Sequence, residues 1–309
     1  RFRFPLMMPF ERFSMTKILC VGEVMLEMSD MGGGLYKKSF AGDTFNVAHY
    51  LNVVTRGRIK ADYLTAVGTD AESEACLEFM REKGVLTSKC QRNPNRTIGL
   101  FVLSNDEKGE KQYGYWRGQS AARLLFDRPQ DVSGYDLIYL SGITAAITEN
   151  KSNLIQSITA AKQHGAQIAY DFNHRVRLWE PGAARAFAEQ ILPQVDIVKI
   201  SDEELAFLYP DKSVAEFSTA YPQAEWVLTC GSEKGEVWKK GNMLARKKFT
   251  AVTEVVDSSA AGDSFIASYL AGKLAGASPL DGLKRGHAIA SQVVLGKGSI
   301  VAIDLTKLD

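Results

Sequence analysis

The sequence predicts a doubly wound α/β body: a mostly parallel sheet with helices on both faces, carrying a small β-sheet lid. Three observations predict it. From Ile18 onward, short β-rich apolar runs alternate with segments of helical period, the pattern of parallel strands linked by crossover helices. Residues 27–40 and 96–119 interrupt that alternation without opening a new helical unit. A hydrophobic fraction of 45% and a charged fraction of 24% match an ordinary globular chain with a core to bury.

The elements follow in order. A strand is expected over 18–24, then a helix over 44–55, a strand over 61–67 and a helix over 72–83. The segments TIGLFVLS and KQYGYWRG flank a turn-like stretch at 105–109 and read as a β-hairpin. Paired with 27–40, that hairpin would form the lid, an insertion in one domain over 17–309. Strands are expected next at 137–141, 166–171, 195–200 and 226–229, with helices at 149–164, 181–192 and 202–209. A β-rich run at 249–256 leads through small residues into a helical stretch at 264–274.

Composition narrows the function. Thirty-seven Lys and Arg against 36 Asp and Glu leave a net charge of +1, so no broad basic field points to nucleic acid or an anionic membrane. No apolar run approaches the roughly 20 residues of a membrane span. Cys20, Cys76, Cys90 and Cys230 are scattered and read as free thiols of a reducing cytoplasm. His49, His164 and His174 show no metal-ligand spacing and read as packing or surface residues. Met15 reads as a natural start, and 1–14 as a non-native or arm extension.

The most informative segment is DSSAAGDSF at 257–265. Ala260, Ala261 and Gly262 leave backbone N–H groups unobstructed where a helix begins, a geometry suited to an anion whose charge builds during transfer. Asp263 follows them, placed to accept a proton from an attacking hydroxyl, although an ordinary Asp near a helix N-terminus fits the same position. A second cluster holds Gly42, Asp43, Thr44 and Asn46 at the start of another helix. Gly42 permits close approach and Asp43 and Asn46 could orient hydroxyls, while plain capping by Asp43 or Thr44 explains the cluster as well.

With both motifs about 220 residues apart and the βα body between them, the sequence resembles the ribokinase-like (PfkB-type) carbohydrate kinases from Lys17 to its end. The resemblance implies a ribokinase-like fold, ATP and Mg2+, an anion hole at Ala260 to Gly262, and Asp263 as catalytic base. Within the family the likeness is greatest to kinases of 2-keto-3-deoxygluconate, carried by VGEVMLEMS at 21–29, YGYWRGQSAA at 113–122 and DFNHRVRLW at 171–179. Tyr115 and Arg117 alternate in a strand and share a face, so a lid could bring both to the substrate. An Arg binds a carboxylate through two parallel bonds, a contact that a neutral-sugar kinase does not need.

The resemblance further implies that Arg175 clamps substrate and transferred phosphoryl group, with Asn173 nearby on the nucleotide side. Ser201 and Glu204 stand where the family carries Asn-x-x-Glu, which leaves Glu204 as the carboxylate that meets magnesium through water. Thr229, Gly231 and Gly235 look like the nucleotide loop, unless they form only a tight hairpin. His287, Ser291 and the glycines of 296–298 fall where relatives wrap the adenine. The implied activity is phosphorylation of the sugar acid at its C6 hydroxyl. A neutral-sugar kinase and a non-catalytic sugar sensor of the same fold are the alternatives. Self-association through the lid is also expected.

Overall fold

The computed structural model describes residues 16–105 and 111–308. The extension at 1–14, the start at Met15 and most of the hairpin turn lie outside those residues. The described chain opens with β1 (Ile18–Val21), β2 (Met25–Asp30), β3 (Tyr36–Ala41) and α1 (Asp43–Val54). Next come β4 (Asp62–Leu64), β5 (Ala66–Val67), α2 (Ala71–Glu82), β6 (Gln91–Arg92), β7 (Gly99–Asn105) and β8 (Lys111–Trp116). The middle holds β9 (Leu137–Ser141), α3 (Gly142–Ile147), α4 (Lys151–Gln163), β10 (Gln167–Asp171), α5 (Pro181–Ile191), β11 (Ile197–Ser201) and α6 (Asp202–Leu208). The chain ends through α7 (Val214–Ala220), β12 (Glu225–Cys230), β13 (Lys234–Lys239), β14 (Asn242–Lys248), α8 (Ala261–Leu274) and α9 (Pro279–Val293).

The main sheet has the order β14-β13-β12-β11-β10-β9-β1-β4. It is parallel from β4 to β12 and antiparallel from β12 to β14. Strand pleating explains the two cores, because successive side chains point to opposite faces. Ile18, Cys20, Leu137 and Tyr139 join the core that α1, α2, α8 and α9 cover. Leu19, Val21, Ile138 and Leu140 join the core that α4, α5, α6 and α7 cover.

The lid is a second sheet of order β3-β2-β7-β8, with β2 and β7 parallel and its other pairs antiparallel. Its strands fall inside or beside the two interruptions read from the sequence. β2 follows β1 after three residues, and β3 runs into α1, so the lid springs from the C-terminal edge of the main sheet.

Four expectations need correction. The run at 249–256 is not a strand; Val255 and Val256 are exposed, and the strand before α8 is β14, part of a β13–β14 hairpin the apolar pattern did not reveal. β14 is polar and mostly exposed, which removes the apolar signal. The 18–24 run breaks after Val21, and 61–67 splits into β4 and β5. The helix expected from Ser264 begins at Ala261 as α8, which places Asp263 inside its first turn.

Candidate active site

A cleft of about 660 Å³ opens between the lid and the C-terminal edge of the main sheet. Phe101, Tyr113 and Tyr115 line it from the lid, and Arg175, Lys199 and Asp263 from the body. Aromatic rings pack along the lid wall, with Tyr113 and Tyr115 stacked at 6.1 Å and 11°. A smaller depression of about 320 Å³ beside β6, bordered by Arg92 and Arg128, holds none of the groups singled out above.

Asp263 is buried in the first turn of α8. The cap of that helix is Ala260, whose left-handed φ of 60° turns the chain without any side-chain cap bond. Asp263 is therefore not spent on capping. Asn46 Nδ2 donates to Asp263 Oδ2 at 2.8 Å. Burial, then the neighbouring Asp43 carboxylate, pushes the Asp263 carboxyl up to about 7, against the Asn46 bond and the Arg175 charge. A carboxylate poised near neutrality is what general-base chemistry requires.

The second cluster also escapes the capping explanation. Gly42 caps α1 with no side-chain cap bond. Asp43 Oδ2 instead accepts from Ser141 Oγ at 2.5 Å and from Asn173 Nδ2 at 2.9 Å, while Thr44 bonds the Tyr63 hydroxyl. Gly42 does require its missing side chain, but for the fold: a Cβ there would sit 2.2 Å from the Glu23 carbonyl oxygen. Asn173 takes a left-handed φ of 35°, and its side chain reaches Asp43 within the same cleft.

Arg117 differs most from expectation. β8 ends at Trp116, so Arg117 has left the strand, yet its guanidinium still lies 5.7 Å from the Tyr115 ring centroid. It forms a buried ion pair with Glu23, a residue the sequence reading had not singled out. Glu23 lies in VGEVMLEMS, but its partner is 94 positions away and local pattern could not reveal the pairing. Arg175 and Arg177 also line the cleft, and Arg177 Nη1 donates to the Tyr113 carbonyl at 3.2 Å, tying body to lid.

Of the residues read for the nucleotide, Asn173 and Gly298 line this cleft, while Ser201, Glu204, Thr229, Gly231, Gly235, His287 and Ser291 are not part of its lining. Ser201 and Glu204 form a capping box: Ser201 Oγ accepts from Glu204 N at 3.1 Å, and Glu204 Oε2 accepts from Ser201 N at 2.8 Å. Glu204 Oε1 accepts from His174 N at 2.8 Å. Thr229 and Gly235 pair across the β12–β13 hairpin, whose turn holds Gly231 at φ 48°. A Cβ on Gly235 would meet Leu283 of α9 at 2.9 Å, so this glycine serves helix packing. His287 stacks on Phe249 at 4.0 Å and bonds Ser291 Oγ at 3.1 Å. Asp257 Oδ2 accepts from Gly298 N at 3.0 Å and its Oδ1 from Ser259 N at 2.8 Å, which joins the small-residue turn to the 296–298 loop. Among the described residues, no group of three or more His, Cys, Asp or Glu gathers as a metal site, and no helix is long and apolar enough to cross a membrane.

A family model for pfkB family carbohydrate kinases matches residues 15–305. The chain belongs to that family. It is 32% identical over 302 residues to a 2-dehydro-3-deoxygluconokinase of Dickeya dadantii, spanning 93% of this chain and 97% of the relative. Its fold matches a PfkB family carbohydrate kinase of Listeria grayi with a TM-score of 0.84 at 22% identity, covering 95% of this chain and 98% of the other. A 2-dehydro-3-deoxygluconokinase of Thermotoga maritima matches with a TM-score of 0.80 at 20% identity, with 95% and 98% covered.

Proposed function

We propose that the protein transfers the γ-phosphoryl group of ATP to the C6 hydroxyl of 2-keto-3-deoxygluconate, giving 2-keto-3-deoxy-6-phosphogluconate. The observation that carries this reading is Asp263, buried at the start of α8, oriented by Asn46 and held near neutrality within a cleft lined by three arginines. The 32% identity to a kinase named for that sugar acid supports the choice of substrate. One kinase domain with an inserted lid is the organisation we assign to 17–309.

In this mechanism Asp263 accepts the C6 hydroxyl proton as its oxygen attacks the γ-phosphorus. The N–H groups of the turn at 260–263 receive charge on the phosphoryl oxygens, and Arg175 steadies substrate and phosphoryl group together. Asp43, Asn46 and Asn173 orient hydroxyls beside Gly42, and Tyr115 and Arg117 close the acid end from the lid. A divalent cation such as Mg2+, when bound with the ATP phosphates, would neutralise part of their charge. Glu204 fits a water-mediated role there, because both its oxygens already accept backbone N–H bonds yet keep lone pairs. The nucleotide lies toward Ser201, Thr229, Gly231, His287 and Ser291.

A kinase of a neutral sugar is the second reading, and the Glu23–Arg117 pair favours it, since an arginine already neutralised offers less net charge to a carboxylate. The test is ADP release with a panel containing 2-keto-3-deoxygluconate, fructose and ribose. The proposal expects the acid to be the preferred acceptor, with phosphorus NMR placing the new phosphate on C6. Preference for fructose or ribose overturns the substrate assignment.

A further inference from the structure

Lys199 stands at the centre of β11 next to the expected anion hole, and no role has been given to it. Its side chain is 8% exposed and lines the cleft. Nζ lies 3.1 Å from Asp171 Oδ1 and 3.0 Å from Asp171 Oδ2, and Tyr139 donates to the same carboxylate at 3.3 Å. On the cleft side, a Cβ added at Gly262 would sit 3.4 Å from Nζ and 3.7 Å from Cε. The ammonium therefore lies against the backbone of the turn that precedes Asp263.

A lysine so placed keeps its charge. Burial alone would lower the Lys199 ammonium, but the carboxylates of Asp171 and Glu204 outweigh it and raise it. Position matters as much as charge. A cation set beside the positive N-terminus of α8 is unfavourable in an empty site and favourable once an anion spans both. Asp171 holds the lysine there by contacts that occupy one side of Nζ, while its three donors give it capacity for a second acceptor.

We infer that Lys199 is a further catalytic residue, whose ammonium contacts the phosphoryl group in transfer, with Asp171 as its positioning partner. The acceptor oxygen forms a bond to the γ-phosphorus, and its proton passes to Asp263. The bond from the γ-phosphorus to the β–γ bridging oxygen breaks, and ADP leaves with that electron pair. Lys199 stabilises the non-bridging oxygens while both bonds are partial, and exchanges no proton.

The inference rests on the phosphoryl-transfer reading above, and the experiment separates the two. Parent turnover with ATP and the sugar panel tests that reading, and the variants are then compared on whichever sugar is accepted. Lys199→Met removes the charge but leaves Asp171 buried and unpaired. The double variant Lys199→Met with Asp171→Asn removes both charges and spares the fold that cost. In the double variant kcat is expected to fall by about 10² or more, as for loss of one preorganised charge-stabilising donor. The sugar KM should stay within about threefold, the mark of an interaction made only in the transition state. Calorimetry of ADP with aluminium fluoride, a mimic of the transferring group, should show weakened binding in parallel. Lys199→Arg should recover part of the turnover. Parent-like kcat in the folded double variant overturns the inference, because Lys199 would then only balance Asp171 in the core.

Discussion

Asn46 Nδ2 donates to Asp263 Oδ2 across 2.8 Å, joining the first turn of α1 to the first turn of α8 over 217 positions of sequence. The bond fixes one carboxylate oxygen. Two helix starts thereby converge on one buried acid, and the chemistry proposed for the cleft depends on that convergence.

The titration of Asp263 gives the first prediction. Its carboxyl is raised from the ordinary 3.8 to about 7, and a base must be ionised to act. The acidic limb of the kcat/KM profile should therefore fall near neutrality. Because the Asp43 carboxylate helps to raise it, Asp43→Asn should move that limb to lower pH in whatever activity remains. An unmoved limb would assign the titration to another group.

Stability should carry the same signature. A folded value above the unfolded one means that the folded chain holds the proton more tightly; this stabilisation is full below about pH 4 and is lost as pH rises through about 7. Asp263→Asn cannot ionise. Its melting temperature should therefore exceed that of the parent by more at pH 8 than at pH 5, as calorimetry at the two pH values would show. An equal difference at both would mean that Asp263 ionises freely in the folded state.

Arg117→Ala should act on stability as well as on substrate use. Removing one member of a buried ion pair leaves Glu23 uncompensated, at a cost of about 3–5 kcal/mol. Adding Glu23→Gln should restore most of that stability without restoring kcat/KM for the sugar acid. Denaturant unfolding and kinetics on the same samples distinguish the effects, and full recovery of both would make Arg117 a purely structural residue.

Ala260 holds a left-handed φ of 60°, a conformation that costs a residue with a Cβ about 1–2 kcal/mol. Ala260→Gly should therefore stabilise the chain by about 1 kcal/mol, read from the midpoint of urea unfolding. Destabilisation would mean that the Ala260 methyl, which packs against the core, contributes more than the strain removes.

Much of this was legible before the structure. The run LIYLS at 137–141 is fully buried on both faces, so an apolar strand of that length could be read directly, and β9 has those bounds. α5 and α6 each begin where expected, at Pro181 and Asp202, because a first-turn proline and an acidic first turn mark helix starts. β14 was not legible, since its exposed residues carry no apolar alternation. In the cleft, Asp263 and Asn46 were readable from small residues at helix starts. Glu23, Ser141 and Lys199 were not, because each acquires its role from a partner distant in sequence: Arg117, Asp43 and Asp171.

The central claim is that Asp263 is the base of phosphoryl transfer, and single substitution tests it most directly. Asp263→Asn should be compared with the parent for turnover of ATP and 2-keto-3-deoxygluconate, with binding of each followed by calorimetry. The account predicts that both ligands still bind while kcat falls by about 10² or more, the contribution of a positioned general base. Turnover close to that of the parent would contradict it.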